Sequence, residues 1–170
     1  MATEAFLKAR SGWNAVINAD AAVREATALA EEMSKENILA SQAKGNEALA
    51  FLEEAQQDFS QAEAAYPSLD LAAFKAYVAK RRESQQAALA ADEAYLSRNK
   101  EELEAQNSRY NALEEEAAAL AQKFGEDDPE QIVALRFYEE IEADQGAYEA
   151  ERLKAGNADA FLREYLGTAS

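Results

Sequence analysis

Two prolines and six glycines in 170 residues leave this chain few places to end a helix. Alanine fills 41 positions, and much of the remainder is Leu, Glu, Gln, Lys and Arg, so strong helix formers dominate from end to end. A proline inside a helix costs about 3 kcal/mol relative to alanine and a glycine about 1 kcal/mol, which makes their positions the natural boundaries. The chain is therefore expected to be all-α. Its length suits one domain with a single core and is short for two.

Three segments carry stop and start signals. In Tyr66-Pro67-Ser68-Leu69-Asp70, Pro67 disfavours helix at Tyr66, and Ser68 or Asp70 can cap the next helix. In the segment from Phe124 to Gln131, Gly125 suits a C′ position, Asp128 an N-cap and Pro129 the first helical turn, while Gln131 can complete a capping box. Gly156 and Asn157 end one helix and begin a short last one. The boundaries that result are a first arm at about 3–65, a second at about 69–124, a third helix at about 129–155 and a short helix at about 158–166.

Between the first two breaks, Leu89, Leu96, Leu103, Tyr110, Ala117 and Phe124 recur every seven residues, joined by Leu113 and Leu120. This is a coiled-coil seam, with polar Asp92, Asn99 and Gln106 at its remaining places. On the first arm Trp13, Val16, Val23, Thr27 and Ala30 keep the same alternation, with Asp20 at the polar place; Leu49, Leu52, Phe59 and Tyr66 resume it in a shifted register. Lys44-Gly45-Asn46 interrupts the pattern, either as a true break or as a glycine tolerated in a kinked helix. Near-equal arm lengths of about 80 Å favour one helix per arm and an antiparallel hairpin turning at Pro67. The expected fold is thus an elongated, coiled-coil-like helical hairpin. A third helix and the short C-terminal helix pack at the Trp13 and Phe124 end, giving a three- to four-helix bundle whose Pro67 tip stays sparsely covered.

The formal charge is −16, and the acidic field repels phosphate backbones and anionic lipid headgroups. Basic proteins and cations suit it better. Cysteine and histidine are both absent, which removes disulfides, thiolate nucleophiles, imidazole bases and the usual zinc, haem and copper ligands. No stretch approaches the roughly 20 apolar residues of a membrane span, so direct membrane insertion is not expected. No glycine-rich phosphate loop or nucleophile elbow is present, and no catalytic residue, cofactor or metal site is assigned. The expected setting is extracytoplasmic, as the mature part of an exported or lipid-anchored protein.

Several clusters invite a functional reading. The acidic group Glu126, Asp127, Asp128 and Glu130 offers oxygen ligands, but it lacks the alternating pattern of an EF-hand, and helix capping accounts for two of its members. Glu139, Glu140 and Glu142 read as a solvated helix face, as does Lys80-Arg81-Arg82, the only dense basic run. Trp13 sits on the seam and is expected in the core. Around the hairpin tip Phe59, Tyr66, Leu69, Leu71, Phe74 and Tyr77 gather more apolar surface than two helices can hide.

The leading expectation is a non-enzymatic structural or interaction protein that docks another protein, or a second copy of itself, through a helix face or its tip. Phe59, Tyr66, Leu69, Phe74 and Tyr77 would be the binding residues. The alternative is a sensor or carrier that holds a small molecule between the helices at the base, in a cavity lined by Trp13, Tyr138 and Tyr148.

Overall fold

A computed structural model describes residues 2–65 and 70–124. They form four α-helices, α1 (Ala2–Glu31), α2 (Lys35–Ala65), α3 (Ala72–Leu96) and α4 (Lys100–Ala121), and a closing 3-10 turn at Gln122–Phe124. No strand occurs among the described residues. The all-α bundle expected from composition is the fold. Pro67, Tyr66 and Leu69 lie outside the described residues, as do the Gly125–Pro129 turn, the acidic clusters near it and both expected C-terminal helices.

Each expected arm is two helices rather than one. The first turns back at residues 32–34 and the second at 97–99, so helices of about 33–47 Å replace arms of about 80 Å. Consecutive helices pack against one another in an up-down-up-down order, as helices joined by such short connections do. The folding back relocates Trp13. Expected at the end opposite the tip, it instead meets Phe74 edge-on, with ring centroids 5.7 Å apart and planes at 77°.

Neither turn contains glycine or proline, and both are built from caps. Ser34 Oγ accepts the backbone N–H of Asn37 at 3.2 Å, and Asn99 Oδ1 accepts that of Glu102 at 3.1 Å, so each satisfies an otherwise orphaned donor at a helix start. The end of α3 is a Schellman motif. The Asn99 N–H reaches Ala94 O at 2.8 Å, the Arg98 N–H reaches Tyr95 O at 3.1 Å, and Arg98 takes the left-handed position with φ of 56°. Gly45 lies buried inside α2, so of the two readings of Lys44-Gly45-Asn46 the tolerated glycine is the one that holds. A Cβ there would come within 2.8 Å of Leu89 Cδ2, so the missing side chain lets α3 approach.

The core is unevenly filled. At the end holding the start of α1, Phe6, Trp13, Val16, Leu52, Phe59, Leu71, Phe74 and Val78 form one large cluster. Toward the two turns the buried apolar residues shrink to Ala22, Val23, Ala26, Ala48, Ala87, Ala91 and Ala94, with Ile38 near the end of the bundle. Buried Ser41, Ser84 and Gln85 share this interior. One half of the bundle is closed by aromatic rings; the other is lined by small and polar side chains, and there the packing opens.

Candidate functional site

Of the apolar residues expected at the tip, Phe59, Leu71 and Phe74 turn inward, and Tyr66 and Leu69 lie outside the described residues. Phe59 and Phe74 are each 0 % exposed with ring centroids 6.0 Å apart, and Leu71 is equally buried. Tyr77 is partly buried, and that burial raises its phenol above the ordinary range. The fourth helix and the returning first helix supply the cover that a two-helix tip would lack. Among the described residues the exposed large apolar side chains are Leu7 and Ile17 on α1, Met33 in the first turn and Leu39 on α2, which are scattered positions and not a patch.

The basic run is consumed by the fold. Arg81 reaches Asp20 Oδ1 of α1 through Nη2 at 2.7 Å and Glu114 Oε2 of α4 through Nη1 at 2.6 Å, while Ser84 Oγ donates to Glu114 Oε1 at 2.9 Å. Arg82 donates to Gln56 of α2, and Lys80 pairs with Glu116 of α4 at 2.9 Å. These side chains are therefore neither a solvated face nor an anion site; they cross-link α3 to the other three helices. Burial pushes the Asp20 carboxyl up, and Arg81 and Arg24 only partly offset it. For Arg81 burial is also the largest influence and opposes the charge, but Glu114, Asp20 and Tyr77 outweigh it and hold the guanidinium ionised.

One turn further along α3 from Ser84 and Gln85, the bundle holds a cavity of about 220 Å³ between all four helices. Val23, Ala26, Thr27 and Ala30 of α1 form one wall, Ser41 and Gly45 of α2 another, and Gln85, Ala88, Leu89, Ala91 and Asp92 of α3 a third. Asn107 and Tyr110 of α4 complete it, with the exposed Asn107 at the solvent side. Its volume is room for roughly seven waters at their liquid density. The cavity lies beside Ser41 and Gly45 of α2, where Leu89 of α3 takes the place a Gly45 side chain would need.

Two polar groups of this cavity, Gln85 and Asp92, bear on what it could hold. The Gln85 side chain is 3 % exposed and lines the cavity with a primary amide, which both donates and accepts hydrogen bonds. Asp92 accepts one bond, from Ser41 Oγ at 3.3 Å, and no cation among the described residues faces it. Desolvation raises its carboxyl to about 6, against the opposing pull of Ser41. Tyr110 is likewise pushed up, first by burial and then by the neighbouring Glu114 carboxylate.

No protein-family model, curated protein or solved structure matches the chain. Of the cavity residues, the sequence marks Asp92 and Tyr110 only as places on a seam. Ser41 and Gln85 carry no signal, since their role depends on which helices become neighbours. The expected base cavity at Trp13 is not seen among the described residues: Trp13 is 5 % exposed within the filled aromatic cluster, and Tyr138 and Tyr148 lie outside the described residues.

Proposed function

We propose that this protein is a non-catalytic binding bundle that holds a small molecule in the cavity between α1, α2, α3 and α4. The observation that carries this reading is the cavity itself, about 220 Å³ walled by all four helices, with the Asp92 carboxylate and the Gln85 amide among its lining. Polar groups in such a wall are served by a bound molecule or ordered water that bonds to them. Apolar walls with a few convergent polar groups are the usual make-up of a ligand site between helices. A macromolecular partner at the hairpin tip has less to grip, because Phe59 and Phe74 expose no surface.

A fragment screen followed by backbone amide NMR tests the reading. Fragments of up to about ten non-hydrogen atoms should shift Ser41, Gly45, Gln85 and Asp92 together, and the cavity-filling Ala88→Phe variant should abolish those shifts while keeping full helicity. Shifts confined to other surfaces, or unchanged by Ala88→Phe, would defeat it.

A further inference from the structure

We infer that the cavity selects a small alkylammonium cation, its charged nitrogen held by the Asp92 carboxylate and its hydrocarbon part lying along the α1 and α3 walls. The inference rests on the cavity being a binding site, and it adds the class of ligand.

The charge arrangement argues for it. Other carboxylates inside the bundle have cationic partners: Asp20 and Glu114 share Arg81, and Asp58 has Lys8 at 3.9 Å together with the Ser11 hydroxyl at 2.6 Å. Asp92 stands apart, with the Ser41 hydroxyl as its one hydrogen bond and no cation facing it among the described residues. A half-buried carboxylate without a counter-charge is an energetic liability that an incoming cation removes. Burial raises the Asp92 carboxyl, and the Ser41 hydrogen bond only partly offsets it.

Competing ligand classes fit less well. An anion would meet a carboxylate inside a chain of net charge −16. A bound metal ion needs several oxygen ligands, and no group of three or more Asp, Glu, His or Cys side chains is placed to hold one among the described residues. A neutral molecule would leave the carboxylate as it is. Size narrows the choice further: at about 220 Å³ the cavity is smaller than the roughly 300–1,000 Å³ of sites for drug-sized ligands. Val23, Ala26, Ala30, Ala88 and Leu89 give an aliphatic chain its lining.

The test uses three matched probes, n-butylammonium, butan-1-ol and butyrate, each titrated into the full chain and followed by amide shifts at Ser41, Gln85 and Asp92. Butylammonium should bind at least tenfold more tightly than butan-1-ol, and butyrate should not bind. Asp92→Asn, which circular dichroism should show to be fully helical, should bring butylammonium down to the affinity of the alcohol. Equal binding of alcohol and amine, or amine binding unchanged in Asp92→Asn, overturns the ammonium assignment and leaves the cavity as a site for another ligand. If no probe moves the cavity resonances and the fragment screen is also silent there, the underlying binding reading falls with it.

Discussion

Asp92 on α3 and Ser41 on α2 face each other across the small-residue half of the bundle, joined by a hydroxyl-to-carboxylate hydrogen bond of 3.3 Å. That bond is too little to offset the burial of the charge, which is why the carboxyl is raised to about 6. Because the folded value lies above the unfolded one, the ionised form opposes folding. Stability is greatest below the unfolded value near 4 and falls as pH rises through about 6. Asp92→Asn removes the penalty. Urea unfolding at pH 7 should show the variant about 1 kcal/mol more stable than the parent, a figure already reduced for the partial solvent exposure of the site, with the difference vanishing near pH 4.

Arg81 supplies the cation that Asp20 and Glu114 share. With 12 % of its side chain exposed, its removal exposes little new surface but strands Asp20 and Glu114. Arg81→Met should destabilise by about 2–4 kcal/mol in urea melts, and adding Asp20→Asn and Glu114→Gln should recover much of the loss. A triple variant no more stable than Arg81→Met would contradict this role.

Gly12 faces the ring of Phe59 closely enough that a Cβ would lie 2.9 Å from Cδ1 and Cε1 and 3.2 Å from the Ala55 carbonyl oxygen. Phe59 is fully buried against Phe74 and has nowhere to move. Gly12→Ala gains about 1 kcal/mol in helix propensity and loses more to overpacking, so a net destabilisation of about 1–2 kcal/mol is expected by thermal or urea denaturation. A stabilised variant would show that α1 and α2 are not this close.

Arg98 occupies the left-handed C′ position of α3, where glycine is the usual residue. Arg98→Gly should raise stability by about 0.5–1 kcal/mol, measured as an increase in the urea midpoint at unchanged m-value. An unchanged or lower midpoint would mean that Arg98 makes compensating contacts at the bundle end, where it lines an open pocket with Lys35, Tyr95 and Lys100.

The helical class was legible because so few residues in this chain can stop a helix. The two turns at 32–34 and 97–99 were not, since neither contains glycine or proline. Leu96 and Leu103 keep their seven-residue spacing straight across the second turn, so the heptad reading runs through a break it cannot register. Asn99, read as a polar flaw in the seam, is the N-cap that makes the break possible, with Glu102 three positions later as the overlooked companion signal. Ser34 does the same at the first turn. Gly45 is tolerated within α2, as the one-helix reading of that position expects, and its missing side chain serves the close approach of Leu89 and not a turn. These turns bring Trp13 to Phe74, in the cluster that buries Phe59 and Leu71. The cavity was illegible for the same reason: Ser41, Gln85 and Tyr110 become neighbours only after both arms fold back.

Carboxyl ¹³C NMR of Asp92 across pH, with and without n-butylammonium, tests the central claim most directly. The free protein should titrate at about 6, and bound amine should draw the midpoint down toward the ordinary carboxylate range. A free midpoint near 4, or one that saturating amine leaves unmoved, would contradict a desolvated carboxylate awaiting a cation in this cavity.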